Sequence, residues 1–476
     1  MEDEFLFYKE KDFTLYKGKM QDVLSTFEEN SIDSIVCDPP YELNFMSKGW
    51  DNQGIAFKKD TWEHCFRVLK EGGYLLAFGG TRTFHRIACA IEDAGFEIRD
   101  TIMFLYGSGF PKSMNIGLAI DKKNGVDNRT GNIIKDGKAA LGNIYNWSNG
   151  KDNTREYEER KAQNEWQGWG TCLKPAYEPI IVARKPFKGS LVDNILQNGV
   201  GGINIDECRV DATGEIIGRN NPNNPFSGIF HSNNTKGLDS TNINNGRFPS
   251  NVILTYDEND FDEVCGGMPY TQSGSKIITN KEVNRKGLTS ENPVFNSNNC
   301  GFKTNIKNDS ISSYGDNGSA SRYFYCAKAS KKDRDEGLDS FEEKQVGSLA
   351  GGDNQKETLD DVSSRFRTIK KNIHPTVKPV ELMQYLVRLV SPKGTKVLDC
   401  FMGSGSTGKA CMFENRERNA NYHFIGIEMT DEYLPIAKTR IDYAKYKYQY
   451  DEIKEKEERK AKGIVNLFDL LGEENE

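Results

Sequence analysis

The amino-acid sequence predicts an α/β fold, in which one mostly parallel sheet is assembled from two distant stretches of chain and interrupted by a long irregular insertion. Three observations carry this. Residues 13–108 alternate strand-like apolar runs with helix-like amphipathic ones, and the alternation resumes at 380. Strands that alternate with helices pair in parallel, and the helices cover both faces of their sheet. Between the two stretches, residues 186–320 become rich in Asn, Ser and Gly, with apolar runs too short for a core of their own. Neither stretch has enough strands to form a sheet alone.

Ser31–Cys37 is the first strand. It ends at Asp38-Pro39-Pro40-Tyr41, because two prolines with fixed φ and no N–H cannot continue a central strand. Asp60–Lys70 has helical spacing and stops at Gly72-Gly73. Tyr74–Phe78 is a short strand, Thr83–Ala94 a helix with Gly95 as its stop, and Ile98–Tyr106 a strand. Tyr177–Arg184 is strand-like. Residues 330–372 are polar and charged and read as a linker. Val380–Val390 is an amphipathic helix, Thr395–Asp399 a strand, Thr407–Arg416 a helix and His423–Glu428 a strand. Asp431–Tyr446 is a helix with Thr430 near its N-cap. The charged run Lys454–Lys462 reads as a solvated helix face.

Bulk properties narrow the function. Lys and Arg number 63 against 70 Asp and Glu, a net charge of -7, which argues against a protein that coats nucleic acid but leaves room for local phosphate-binding patches. The ten cysteines form no C-x-x-C pair and the five histidines are scattered, so no zinc pattern exists and no metal is expected. The cysteines read as small buried apolar groups in a reducing compartment. No apolar run approaches the roughly 18 residues of a membrane span, and the acidic start MEDEFLFYKE lacks the basic region of a signal peptide. A soluble, cytoplasmic protein is expected.

Two loops carry chemistry. In KVLDCFMGSGSTG (396–408) a strand ends in Asp399, followed by Phe401-x-Gly403-x-Gly405 and a helix. Glycines there let the backbone approach a ligand and turn tightly, and the helix start favours an anion. The next strand ends in Glu428, a place where an acid holds ribose hydroxyls. A lone G-x-G is unspecific, and a plain structural turn is the alternative. Gly403, Gly405 and Gly408 also spell G-x-G-x-x-G, which keeps a nicotinamide oxidoreductase as a rival. No G-K-[ST] follows at P-loop spacing. Asp38-Pro39-Pro40-Tyr41 separates the rivals. Ligands of open α/β sheets bind at the carboxyl ends of strands. Both loops follow strands directly, so the first sets a carboxylate and a ring beside whatever the second binds. The plainer alternatives are a turn cap for Asp38 and a core aromatic for Tyr41.

Asp38-Pro39-Pro40-Tyr41 together with Phe401-x-Gly403-x-Gly405 resembles the S-adenosylmethionine-dependent amino-methyltransferases of DNA. The order, catalytic motif before cofactor motif, is that of their permuted β group. His374-Pro375-Thr376-Val377-Lys378-Pro379 resembles the segment before the cofactor loop, and Gly18–Leu24 the segment before the catalytic strand. Lys174–Pro179 and Ser321–Tyr325 resemble phage-type members. The resemblance covers about residues 13–110 and 370–442. Cys400 stands where proline is common and Ser406 where threonine is, both conservative in size.

The resemblance implies a Rossmann-like methyltransferase sheet, circularly permuted, with a large target-recognition insertion. Residues 1–110 and 373–446 would be the two parts of the catalytic domain, 111–330 the insertion, 331–372 a linker and 447–476 a charged helical tail. It implies that Tyr41 stacks on a flipped base, that Asp38 and the Pro39 carbonyl accept hydrogen bonds from its amino group, and that Pro40 helps hold the turn rigid. For the cofactor it implies Asp22 and Phe401 near the adenine, Gly403 and Gly405 under the methionine moiety, and Glu428 on the ribose, with Asp399 and Ser404 in the same set. Lys378 and His374 would face the cofactor carboxylate or the target strand. Trp50, Arg82, Arg247, Arg322 and His374 are candidate DNA contacts. Aspartate at 38 favours adenine N6 as the target. Cytosine N4, more often served by serine there, is the alternative, and a catalytically silent DNA-binding subunit is disfavoured by the intact loops. Carbon methylation would need a Pro-Cys pair, which the sequence lacks. The expected partner is double-stranded DNA, with or without a cognate restriction endonuclease, for a monomer or homodimer of prokaryotic or phage origin. The recognition sequence is not legible.

Overall fold

Six consecutive buried residues, Ile32–Cys37, form a strand at the centre of the fold. Unbroken burial is what a strand covered on both faces requires. The computed structural model describes residues 4–42, 54–106, 113–136, 155–210, 246–257, 270–273, 277–278, 311–312, 316–319, 324–329, 332–346 and 368–461. Trp50 and Arg322 lie outside them.

The main sheet has ten strands: β1 (Leu6–Lys9), β2 (Phe13–Lys17), β3 (Ile32–Cys37), β4 (Leu69–Phe78), β5 (Glu97–Tyr106), β6 (Tyr177–Arg184), β7 (Val252–Asp257), β8 (Tyr325–Ala329), β9 (Lys396–Asp399) and β10 (His423–Glu428). Their spatial order is β1-β2-β10-β9-β3-β4-β6-β5-β7-β8. The run from β2 through β10, β9 and β3 to β4 is parallel, and β6 is antiparallel to both its neighbours. β9 comes late in the chain yet pairs with β3, so the two stretches do form one sheet.

On one face α1 (Met20–Ser25), α2 (Lys59–Val68) and α3 (Phe84–Asp93) cover a single apolar cluster. Trp62, Cys65 and Val68 of α2 and Ile87 and Ile91 of α3 recur at helical spacing and meet Ile35, Cys37, Leu75, Leu398 and Cys400 of the sheet region. The helices α4 (Val380–Val390), α5 (Ser406–Arg418) and α6 (Tyr433–Ala461, kinked at Tyr446) pack together. The Arg388 guanidinium and Glu414 carboxylate, both buried, pair between α4 and α5 through Nε–Oε2 at 3.0 Å and Nη2–Oε1 at 2.5 Å.

The structure differs from the sequence expectation in three places. The helix expected over 60–70 ends at Val68, and β4 begins at Leu69 rather than at Tyr74. Gly72 and Gly73 do not separate helix from strand; they let the strand bulge under its neighbours. A Cβ on Gly72, whose φ is +80°, would lie 2.1 Å from Asn194 Nδ2, and one on Gly73 would lie 2.9 Å from the Asp33 carbonyl. Secondly, β6, β7 and β8 lie inside the span read as insertion yet belong to the main sheet. Thirdly, the segment read as a linker carries packed structure. Leu338 is fully buried, Glu336 accepts hydrogen bonds from Lys409 (2.8 Å) and Lys447 (3.1 Å), and Arg440 donates to the Asp333 carbonyl at 2.8 Å.

The chain divides into two compact units: Met1–Cys208, Asn251–Asp260 and Cys326–Glu476 form the first, Arg209–Ser250 and Phe261–Tyr325 the second. In the second, Tyr270–Ser273 pairs antiparallel with Asp316–Ser319, Ile277–Ile278 with Ile311–Ser312, and Val210 with Arg247. Among the described residues no helix is long and apolar enough to cross a membrane.

Candidate active site

β3 and β9 are adjacent and parallel, with Leu398 opposite Ile35, so the turns after Cys37 and Asp399 leave the same edge of the sheet side by side. One cavity of about 1380 Å³ is lined by both turns. Asp38, Pro39, Pro40, Tyr41, Asp22, Lys378, Asp399, Phe401, Gly403, Ser404, Glu428, His374 and Arg82 all line it. The strand order therefore collects residues from the two ends of the chain into a single site.

The first turn is tied down at several points. Thr83 Oγ1 donates to the Tyr41 carbonyl at 2.8 Å, and Glu42, at a left-handed φ of +54°, accepts from the Gly54 N–H at 2.7 Å. With the two prolines these contacts hold Asp38 and Tyr41 in place. The Tyr41 hydroxyl lies 2.9 Å from Asp38 Oδ1 and 2.9 Å from Glu178 Oε2. Lys378 Nζ reaches Asp38 Oδ2 at 2.5 Å, Tyr41 Oη at 3.1 Å and Glu178 Oε2 at 3.4 Å. It also sits 4.7 Å from the centre of the Phe78 ring. Burial works against the Lys378 charge, but Asp38 and Glu178 outweigh it and raise its pKa, so the ammonium stays charged. Burial, reinforced by the same two carboxylates, pushes the Tyr41 phenol well above its ordinary value.

Glu178 is the residue that sequence reasoning missed. It stands near the start of β6, and because β6 runs antiparallel, its start lies where the parallel strands end. In the sequence, Tyr177-Glu178 stands out only as part of the segment Lys174–Pro179 that resembles phage-type methyltransferases. Nothing local in the sequence says that this strand inserts between β4 and β5 and brings a second carboxylate to Tyr41.

The second turn folds around its own acids. Asp399 Oδ1 accepts the Phe401 N–H at 3.1 Å and Oδ2 accepts the Thr407 hydroxyl at 2.5 Å, so both oxygens close the loop. Burial raises the pKa of Asp399 despite these bonds. Glu428 reaches across from β10, with Oε2 accepting the Gly403 N–H at 2.9 Å and Oε1 the Thr430 N–H at 2.7 Å; burial raises its pKa as well. Gly403 and Gly405 have φ of +52° and +77°, a region that favours glycine. A Cβ on Gly403 would lie 2.6 Å from His374 Nε2, and one on Gly405 would lie 3.0 Å from Ala437. His374 thus rests directly on the glycine loop. Its Nδ1 bonds the Thr376 carbonyl at 2.5 Å and its ring meets Tyr433 edge-on at 4.6 Å. Burial lowers its pKa to about 4, so the ring is neutral near pH 7.

The remaining predicted residues fall in different places. Lys378, expected beside the cofactor or the target strand, lies on Asp38. The Ser404 hydroxyl is held by buried Arg440 at 3.0 Å. The Phe401 ring lies 6.2 Å from that of Trp62. Arg82 is exposed where it lines the cavity. Arg247 belongs to the second unit.

Comparison with known proteins gives the family. The family described as "DNA methylase", of N6 and N4 methyltransferases, has a model that matches residues 32–439. Type II methyltransferase M.HindIII of Haemophilus influenzae is 23% identical over 267 residues, 54% of this chain and 68% of that one. Type II methyltransferase M.BglI of Bacillus subtilis is 36% identical over 115 residues, and that match spans only 30% of its length. The DNA adenine methyltransferase YhdJ of Escherichia coli is 36% identical over 88 residues, 18% of this chain and 28% of that one. Among solved structures, the cytosine-N4-specific PvuII DNA methyltransferase aligns over 91% of this chain and 87% of its own, at 11% identity and a TM-score of 0.38. The family match spans both chemical turns and most of the sequence between and around them, and on it this chain belongs to the N6/N4 family of DNA methylases.

Proposed function

We propose that the chain transfers a methyl group from S-adenosylmethionine to the exocyclic N6 of an adenine flipped out of duplex DNA. One observation carries the reading: the Asp38 carboxylate and the glycine turn leave adjacent parallel strands into one cavity. Its volume exceeds the roughly 300–1,000 Å³ of an ordinary small-molecule site, which leaves room for a donor and a base together.

The residues fit the donor. The turn at Gly403 lines the cavity, while Gly405 faces Ala437 and is not part of that lining, and the buried Glu428 carboxylate suits ribose hydroxyls. Asp22 and Phe401 line the same cavity, where they would serve the adenine of the donor. When bound, S-adenosylmethionine supplies an electrophilic methyl group on a sulfonium.

The chain's own part is to prepare the nitrogen. An exocyclic amine conjugated to a base is a poor nucleophile, and inside a duplex it is out of reach, so the base must leave the stack. The Tyr41 ring takes the base by stacking. Asp38 and the Pro39 carbonyl accept the two amino hydrogens, draw the nitrogen toward tetrahedral geometry and aim its lone pair. Fixed positioning of this kind supplies much of a rate, and the anchored Pro-Pro turn provides it. An aspartate at 38 and the partial match to an adenine-specific relative support adenine over cytosine.

Incubation with labelled S-adenosylmethionine and duplex DNA, followed by digestion to nucleosides, tests the proposal. It expects N6-methyladenine. N4-methylcytosine would move the target to cytosine, and unlabelled DNA would reject the reading.

A further inference from the structure

Tyr41 does more than stacking requires. A phenyl ring would stack on a base equally well, yet here the ring carries a hydroxyl set 2.9 Å from each of two carboxylates, Asp38 and Glu178. A hydroxyl has one hydrogen to give and lone pairs to receive. Lys378 donates to it at 3.1 Å, so at any moment the hydroxyl gives its hydrogen to one carboxylate, and it accepts from the other only once that carboxylate is protonated. Asp38–Tyr41–Glu178 thus becomes a continuous hydrogen-bonded chain when one of the two carboxylates takes up a proton. Its far end is more open than its ammonium neighbour, with side-chain exposures of 24% for Glu178, 21% for Asp38 and 10% for Lys378.

The reaction leaves such a chain with a task. When the amine nitrogen forms its bond to the methyl carbon and the sulfur–carbon bond breaks, the nitrogen bears a positive charge and one hydrogen more than the product amine keeps. That proton must leave a site whose nearest acceptor, Asp38, is already bonded to Lys378. Resting on the methyl-transfer reading, we propose that Glu178 is the exit of a proton relay: the nitrogen's proton passes to Asp38, the Asp38 proton to the Tyr41 oxygen as the Tyr41 hydrogen passes to Glu178, and Glu178 releases it to water. Each bond broken to hydrogen is matched by one formed, Tyr41 and Asp38 end as they began, and no further reactant is needed.

The groups facing Glu178 agree with this. They are Tyr41, Lys378, Asp38 across the hydroxyl, and Tyr106, whose pKa is raised to about 12 by burial and then by Glu178 itself. Tyr106 and Lys378 both hold their protons at neutral pH, so neither competes as acceptor. Lys378 is the fixed positive charge that lets two carboxylates share one hydroxyl. Glu178 acts through Tyr41 and does not itself touch the base, so it is a positioning residue for the proton.

Glu178→Gln and Tyr41→Phe separate this role from a structural one. The experiment measures single-turnover methyl transfer to duplex DNA from about pH 6.5 to 9, in H2O and D2O, with the dissociation constants for S-adenosylmethionine and for duplex measured alongside. Both variants should bind cofactor and duplex within about twofold of the unmodified chain. Both should lose about a hundredfold or more in rate at the lower pH, the lower end of the roughly 10²–10⁴-fold that a positioned acid–base group contributes. The loss should shrink as pH rises and hydroxide takes over the proton, and the solvent isotope effect should grow. A loss that is the same at every pH, or no loss in either variant, overturns the relay. If Glu178→Gln fails to fold, Tyr41→Phe alone decides it by the same two outcomes. Absence of transfer by the unmodified chain would instead reject the reading beneath, and the relay with it.

Discussion

Lys378 Nζ stands 2.5 Å from Asp38 Oδ2, joining a residue just before helix α4 to one just after the central strand β3. The pair ties the two ends of the chain together where the chemistry is expected. It also means that an amino group arriving at Asp38 meets a carboxylate already holding a cation. Replacing Lys378 by Met leaves Asp38 and Glu178 facing each other through one hydroxyl with no positive charge between them. Removing one partner of a fully buried pair costs about 3–5 kcal/mol. These side chains keep 10–24% of their exposure, so about 1–3 kcal/mol is expected here. Urea unfolding at pH 7 measures it, and a neutral or stabilising result would mean that the cluster is not formed.

Gly403→Ala tests the glycine turn. The new methyl group would meet His374 Nε2 at 2.6 Å on a backbone already at φ +52°. Left-handed backbone costs a non-glycine residue about 1–2 kcal/mol, and moving His374 adds to it. That strain is carried with or without cofactor, so urea unfolding should show a loss of about 1–2 kcal/mol, and affinity for S-adenosylmethionine, measured by titration calorimetry, should fall because the turn and His374 are displaced into the donor's place. Far-UV circular dichroism should be unchanged. Undiminished affinity would place the cofactor away from this turn.

His374 predicts a pH dependence of stability. Its pKa is lowered by burial from 6.5 to about 4 in the folded chain. Between these values the unfolded state binds a proton that the folded state does not, so stability falls as pH drops from about 6.5 toward 4 and is unaffected by this group above about 6.5. His374→Gln should flatten that part of the curve. Urea unfolding of both proteins at pH 7, 6 and 5 compares the slopes; equal slopes would show that His374 takes up its proton in the folded state.

The parts of this fold that the sequence reveals are those where local chemistry and tertiary packing agree. Ser34–Cys37 is mostly apolar and Asp38 and two prolines follow it, and Ile32–Cys37 is a buried strand ending there. Val380–Val390 has helical spacing and is the helix expected to the residue. His423–Glu428 likewise matches from end to end. The misses come where distant contacts overrule local signals. Gly72-Gly73 reads as a stop, but only the close approach of Asn194 and Asp33 explains it. Residues 332–340 read as linker because their charges are visible and their partners, Lys409 and Arg440, lie far along the chain. At the site, Asp38, Tyr41, Gly403 and Glu428 were legible because each sits at a strand end or a glycine turn. Glu178 was not, since its place depends on β6 running against its neighbours. Lys378 was legible as a residue of interest but not as the partner of Asp38.

The most direct test of the account is Asp38→Ala, assayed for methyl transfer to adenine in duplex DNA and for S-adenosylmethionine binding on the same preparation. The account predicts that transfer falls to background while cofactor affinity stays within about threefold, because in the proposed function Asp38 serves the base, and Glu428 and the glycine turn serve the donor. Transfer at a rate comparable to that of the unmodified chain would contradict it.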